Sequence, residues 1–260
     1  PGLNIPVNMS VAFHSDAGCH PTDKLVGTFM FYTIQDDDKE TTYPSGGDRI
    51  CNRDFADYLQ TQIVEDIRHT MMPTWQKRHL MHKSMSETRN PKVPSTIIEL
   101  LSHHNYYDMT FGLDPKFKFI VSRAIYKGML RFIHQTTGTP YVVQPLPVQQ
   151  MNISYANNDS LHISWAERVD RLEPTATPTY YIIYTRTSQL KDGKWQTSDW
   201  DNGIRVSDAN ATLPIKRGMK YDIMVRAGNN GGVSLPSEVL SAYIAPQYNN
   251  DLALIINGFH

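Results

Sequence analysis

Pro94-Ser95-Thr96-Ile97-Ile98-Glu99-Leu100-Leu101-Ser102-His103 (residues 94–103) carries the pattern that decides the first fold in this chain. Its centre, Thr96 to Leu101, is a short apolar run. It is bounded by Pro94 on one side and by the polar Ser102-His103-His104-Asn105 on the other, which reads as a buried strand. Glu99 is out of place in that run. A carboxylate inside an apolar strand is costly unless it is paired or used, so this residue calls for an explanation.

The same alternation of elements extends outward. Upstream, Val7-Asn8-Met9-Ser10-Val11-Ala12-Phe13 is a mostly apolar strand and Leu25 to Tyr32 a second. Phe55, Leu59, Ile63 and Ile67 recur every four residues, the stripe of an amphipathic helix. Downstream, Asp114-Pro115 is a helix cap followed by proline in the first turn. Phe119, Ile120, Ala124, Leu130 and Ile133 then mark one face of a long helix ending near Gly138. Strands alternating with helices predict an α/β layered domain over residues 1–141 with a largely parallel sheet.

Helical periodicity stops near residue 141. Pro145-Leu146-Pro147 is a linker signal, followed by strand patterns at Ser160 to Trp165, Thr179 to Thr187, Tyr221 to Ala227 and Val239 to Ile244. Turn clusters such as Lys191-Asp192-Gly193-Lys194 and Gly228-Asn229-Asn230-Gly231-Gly232 separate them, which predicts an all-β sandwich over 145–246. Residues 247–260 contain the strand-like Leu252-Ala253-Leu254-Ile255-Ile256 and read as the start of a further domain or a stub. Because the chain begins at Pro1 and ends soon after that run, it reads as a piece of a longer protein.

The formal net charge of -1 over 260 residues provides no electrostatic footprint for a nucleic acid or an anionic membrane. No apolar run is long enough to cross a bilayer. Cys19 and Cys51 can form one bridge or stand as free thiols, and two cysteines cannot build a disulfide framework. Sequons at Asn8, Asn152, Asn158 and Asn210 need no cause beyond chance.

Two segments carry candidate chemistry. In Ala12-Phe13-His14-Ser15-Asp16-Ala17-Gly18, a histidine ends an apolar strand and small residues follow; the other segment is the strand holding Glu99. In an open α/β sheet, ligands collect at the carboxyl ends of strands, where His14 is expected to lie. Taken singly, each residue also has a structural reading: a hydrogen-bonded histidine, and a glutamate in a local ion pair.

Together and in order, these segments resemble the zinc-dependent N-acetylmuramoyl-L-alanine amidases, with Val26-Gly27-Thr28-Phe29-Met30-Phe31-Tyr32 resembling the family's glycine-containing strand. The strings 12–18 and 94–103 are closest in look to a Bacteroidetes subgroup labelled xanthan lyase-like or golvesin-domain proteins. The resemblance covers about 140 residues. It implies that His14 is a zinc ligand, that Glu99 is the general acid/base, and that the substrate is peptidoglycan or a related glycopeptide. It also implies a periplasmic, cell-surface or secreted location. Asp16 departs from the asparagine of the wider family, which leaves substrate positioning open.

In that family the other two zinc ligands, a histidine and a glutamate, precede the point where this chain begins. The chain alone is therefore expected to bind zinc weakly if at all, to be inactive, and to expose a sheet edge that favours association. Local substitutes exist in His20, Cys19, His103, His104 and Asp108, each of which also reads as a loop or surface polar group. Two alternatives stand beside the hydrolase. One is a non-catalytic surface binding protein on the amidase scaffold; the other is a polysaccharide-active enzyme, for which Tyr106-Tyr107 and Arg89 lack an accompanying basic cluster.

Residues 145–246 resemble the fibronectin type III family through Trp165, Leu213-Pro214-Ile215 before Gly218, and Tyr221-Asp222-Ile223-Met224-Val225-Arg226-Ala227. The resemblance implies an indole packed between two sheets, a corner tyrosine at Tyr221, and a spacer or protein-contact module without catalytic groups.

Overall fold

Residues Ser95–Ser102 form strand β4, and the first unit is built around it. In the computed structural model, which describes residues 6–17, 24–157 and 159–246, the chain forms two compact units, Pro1–Tyr141 and Val142–His260. The expectations attached to Cys19, His20, the sequon at Asn158 and residues 247–260 fall outside the described residues.

The elements of the first unit that precede β4 are β1 (Ser10–Asp16), β2 (Thr28–Tyr32), α1 (Cys51–Thr70), β3 (Lys77–His82) and the short α2 (Ser86–Arg89). Two helices follow it, α3 (Tyr106–Leu113) and α4 (Pro115–Thr137). The sheet order is β1-β4-β2-β3. Two of its three pairings, β1 with β4 and β2 with β3, are parallel, but the central pair of β4 and β2 is antiparallel, so the sheet is mixed. Thr28 helps to fix that central pair: its hydroxyl donates to the Leu100 carbonyl at 3.0 Å and accepts from the Trp75 indole at 2.9 Å. Asn52 ties the start of β4 to α1, since its Oδ1 accepts from Ser95 N–H at 2.7 Å and from the Tyr43 hydroxyl at 2.6 Å.

Phe55, Leu59, Ile63 and Ile67 of α1 are fully buried, together with Met30, Trp75, Ile98 and Phe117. Each such side chain contributes roughly 1.5–3 kcal/mol. Asp114 caps α4 by accepting from Lys116 N–H, Pro115 occupies the first turn, and Gly138 ends the helix in a left-handed conformation. The face that α4 buries differs from the expected one. It runs through Phe117, Val121, Ala124, Gly128 and Phe132, whereas Phe119, Ile120, Leu130 and Ile133 are only partly buried. Gly128 is the reason, because a Cβ there would lie 2.8 Å from Leu59 Cδ2 and 3.1 Å from Leu59 Cα. α1 and α4 therefore touch through a residue that contributes nothing to a hydrophobic pattern. Beside it, Lys127 is buried and its Nζ pairs with Asp66 Oδ2 at 2.7 Å.

β1 also differs from its expected span. It begins at Ser10 rather than Val7 and runs to Asp16, so His14 lies inside the strand, with an irregularity between His14 and Asp16. β1 is an edge strand that pairs with β4 on one side. Val7 and Phe13 are exposed.

The second unit is a fibronectin type III-like sandwich. One sheet has the order β10 (Asn210–Pro214), β6 (Ser160–Ala166), β5 (Gln149–Asn157). The other has the order β12 (Gly232–Val233), β11 (Met219–Asn229), β7 (Tyr180–Lys191), β8 (Lys194–Thr197). In that second sheet β13 (Leu240–Ile244) pairs with β11, and β9 (Ile204–Val206) pairs with β7. Trp165 is buried edge-on to Tyr181 at 5.3 Å, among Leu161, Ile163, Ile183, Ile223 and Val225. The corner tyrosine is present: Lys216 N–H donates to the Tyr221 hydroxyl at 2.7 Å.

Candidate active site

Strand pairing alone brings the two expected site residues together. The parallel register of β1 and β4 sets His14 opposite Glu99, and the antiparallel register of β4 and β2 sets Glu99 opposite Phe29. Paired residues on adjacent strands point to the same face, so His14, Glu99 and Phe29 form one cross-strand row.

Three further charged residues surround the row. Glu87 of α2 places Oε1 2.7 Å from His14 Nε2, and both side chains are half-exposed. Arg78 of β3 donates to Asp16 Oδ2 at 2.6 Å and holds its guanidinium 4.6 Å above the Phe29 ring. Glu99 lies within this group with Oε2 buried and without a hydrogen-bond partner. Burial pushes the Glu99 carboxyl above the usual carboxylate range. His14 and Arg78 pull it down, while Asp16 and Glu87 add to the rise. A carboxyl raised in this way, with one oxygen unclaimed, is suited to accept and return a proton.

Three of the expected local substitutes, Asp108, His103 and His104, lie among the described residues. Asp108 is a structural clamp: its carboxylate accepts from Val26 N–H at 2.9 Å, Gly27 N–H at 3.4 Å and Ser102 N–H at 3.0 Å. His103 Nδ1 lies 2.9 Å from the Ser15 hydroxyl, and its ring packs edge-on to His104 at 4.6 Å. Ser15 and His103 line a cavity of about 630 Å³ together with Phe13, Leu100, Met109 and Phe117. The residues considered for a polysaccharide cleft are dispersed. Arg89 is paired with the Asp37 carboxylate, Tyr106 is exposed and Tyr107 packs edge-on to Phe111.

A catalytic zinc takes three protein ligands at about 2.0–2.3 Å and leaves one position open. Among the described residues no group of three or more His, Cys, Asp or Glu side chains is arranged to hold a metal. His14 and Glu87 offer one imidazole and one adjacent carboxylate, already bonded to each other. The described residues therefore do not form a zinc centre by themselves.

Glu87 and Arg78 were not legible as site residues in the sequence. Glu87 sits in a four-residue helix, and Arg78 in the polar edge strand Lys77-Arg78-His79-Leu80-Met81-His82, neither of which has a periodic pattern.

No protein-family model matches the sequence, and no curated protein matches it. Solved structures do resemble parts of it. An N-acetylmuramoyl-L-alanine amidase from Clostridium difficile 630 is 14% identical over 51% of this chain and 60% of its own, with a TM-score of 0.39. The fn3 domain of the human collagen alpha-1(XX) chain is 18% identical over 45% of this chain and 100% of its own, with a TM-score of 0.30. Titin kinase with its flanking domains is 20% identical over 40% of this chain, with a TM-score of 0.30, and the match spans only 18% of that structure. Among the described residues no helix is long and apolar enough to cross a membrane.

Proposed function

We propose that the first unit is part of an envelope hydrolase that cleaves peptidoglycan amide bonds, with Glu99 as its proton carrier and His14 as a metal-binding imidazole. The observation carrying this reading is the His14–Glu99 register, combined with a Glu99 oxygen that is buried and unclaimed. As a carboxylate, Glu99 takes the proton of the attacking water, and as a carboxylic acid it returns that proton to the leaving amine. The resemblance of segments 12–18 and 94–103 to the zinc amidases supplies the substrate class and the metal. It also supports a periplasmic, cell-surface or secreted location. The fibronectin type III-like unit serves as a contact module in this reading, and the outer edge of β1, with exposed Phe13, is where association is expected.

Zinc titration by calorimetry tests the assignment. Binding weaker than micromolar is expected, and it should disappear in His14→Ala while persisting in Glu99→Gln. Binding indifferent to His14→Ala, or of sub-micromolar affinity, would show that the ligand assignment is wrong. One observation favours a second reading, a non-catalytic surface binding protein: the described residues hold no three-ligand group. Zinc-dependent release of peptide from sacculi, abolished by Glu99→Gln, separates the two readings.

A further inference from the structure

The sandwich has an aromatic surface that its spacer role leaves unused. Tyr155 of β5, Trp195 of β8 and Tyr243 of β13 are 60%, 51% and 44% exposed, although such rings are ordinarily buried. They come from three strands belonging to both sheets. The rings are held in place. The Tyr155 hydroxyl donates to the Tyr243 carbonyl at 2.9 Å, and the Trp195 indole stands edge-on to the Tyr243 ring, with centroids 5.8 Å apart and planes at 89°. Leu190, the register partner of Trp195 and 52% exposed, extends the same patch.

We infer that this patch binds glycan, stacking the apolar face of a pyranose on Trp195 with Tyr243 and Tyr155 beside it. The inference deepens the hydrolase reading and rests on it for the identity of the polymer, the N-acetylhexosamine strand of peptidoglycan. The physical fit is specific. One face of a pyranose presents C–H bonds, which sit favourably against the electron-rich face of an aromatic ring. The sugar's hydroxyls point sideways and stay hydrated, so stacking desolvates little polar surface. Fixed rings lose little rotamer freedom on binding. A protein partner of comparable affinity generally needs a wider apolar surround to exclude water from its anchors. Here the rings adjoin the exposed turn Lys191-Asp192-Gly193-Lys194 instead.

The test is a titration of the chain with a β-1,4-linked N-acetylglucosamine hexamer, followed through the four tryptophan indole N–H resonances. The Trp195 resonance should move on binding, while those of buried Trp75 and Trp165 stay in place. Trp195→Ala should weaken binding by about tenfold or more, and Trp195→Phe by less. The Trp195 resonance reports on the sandwich itself, so the result does not depend on whether the first unit hydrolyses anything. No movement of Trp195 at millimolar sugar would overturn the inference, as would equal binding by Trp195→Ala. Capture of the chain by peptide-bearing sacculi but not by glycan strands stripped of peptide would assign the patch to a protein or peptide partner and overturn it as well.

Discussion

Each unit places a carboxyl group in the middle of a strand, and the two are treated in opposite ways. In the sandwich, Asp222 of β11 is buried and fully engaged. Arg186 Nε lies 2.9 Å from one of its oxygens, and the Ser241 hydroxyl at 2.6 Å and Lys220 Nζ at 3.0 Å hold the other. Burial raises its pKa, but those three partners outweigh that effect and hold it below the usual range. In the α/β unit, burial dominates at Glu99, one oxygen has no partner, and the pKa rises. Residue type and strand position are similar, so the partner set decides whether a carboxyl group serves as a brace or stays available for chemistry.

The comparison can be tested, and the largest effect is expected at a third carboxylate. Lys127→Ala leaves buried Asp66 without its cation and should destabilise the first unit by about 3–5 kcal/mol, measured by urea unfolding. Asp222→Asn removes charge-assisted bonds from a satisfied site and should cost the sandwich about 1.5–3 kcal/mol. Because the folded-state pKa of Asp222 is depressed, its contribution is present above the unfolded value of 3.8 and is lost as pH falls through the folded value. Acid melts of the Asn variant should therefore converge on those of the parent.

Glu99→Gln should do the reverse and raise the melting temperature at pH 7. A raised folded-state pKa makes ionisation unfavourable in the fold, so the unmutated chain's stability is intact below the ordinary value of 4.5 and declines as pH rises from there through the folded value. The gain from Gln should shrink to nothing in acid. A loss of stability at pH 7 would mean that Glu99 is a brace like Asp222. The smallest effect belongs to Glu87→Gln. Its pair with His14 is half-exposed, so chemical denaturation should show a change of less than about 1 kcal/mol.

Much of this was legible in the sequence for identifiable reasons. The stripe of Phe55, Leu59, Ile63 and Ile67 survives because each of those residues meets the core, and β4 because its apolar run is flanked by polar residues and proline. His14 and Glu99 stood out as polar groups in apolar strands. The α4 face was misjudged because Gly128 and Lys127 lie on it, one through close backbone approach and the other through burial with a counter-ion. β3 was missed because Lys77-Arg78-His79-Leu80-Met81-His82 is a polar edge strand. The central antiparallel pairing has no local signal, since strand direction is set by long-range connections. The same limit hid Glu87 and Arg78, whose relevance comes only from where the sheet delivers them.

The position of β4 has a consequence for how the chain assembles. It follows β1, β2 and β3 in sequence, yet it inserts between β1 and β2 in space. During synthesis only the β2–β3 pairing can form early. β1 must wait across roughly eighty residues for its neighbour, which makes the closing step slow relative to local helix formation. Until residue 102 has left the ribosome, the sheet has no centre, and the His14–Glu99 juxtaposition is among the last features of the unit to exist.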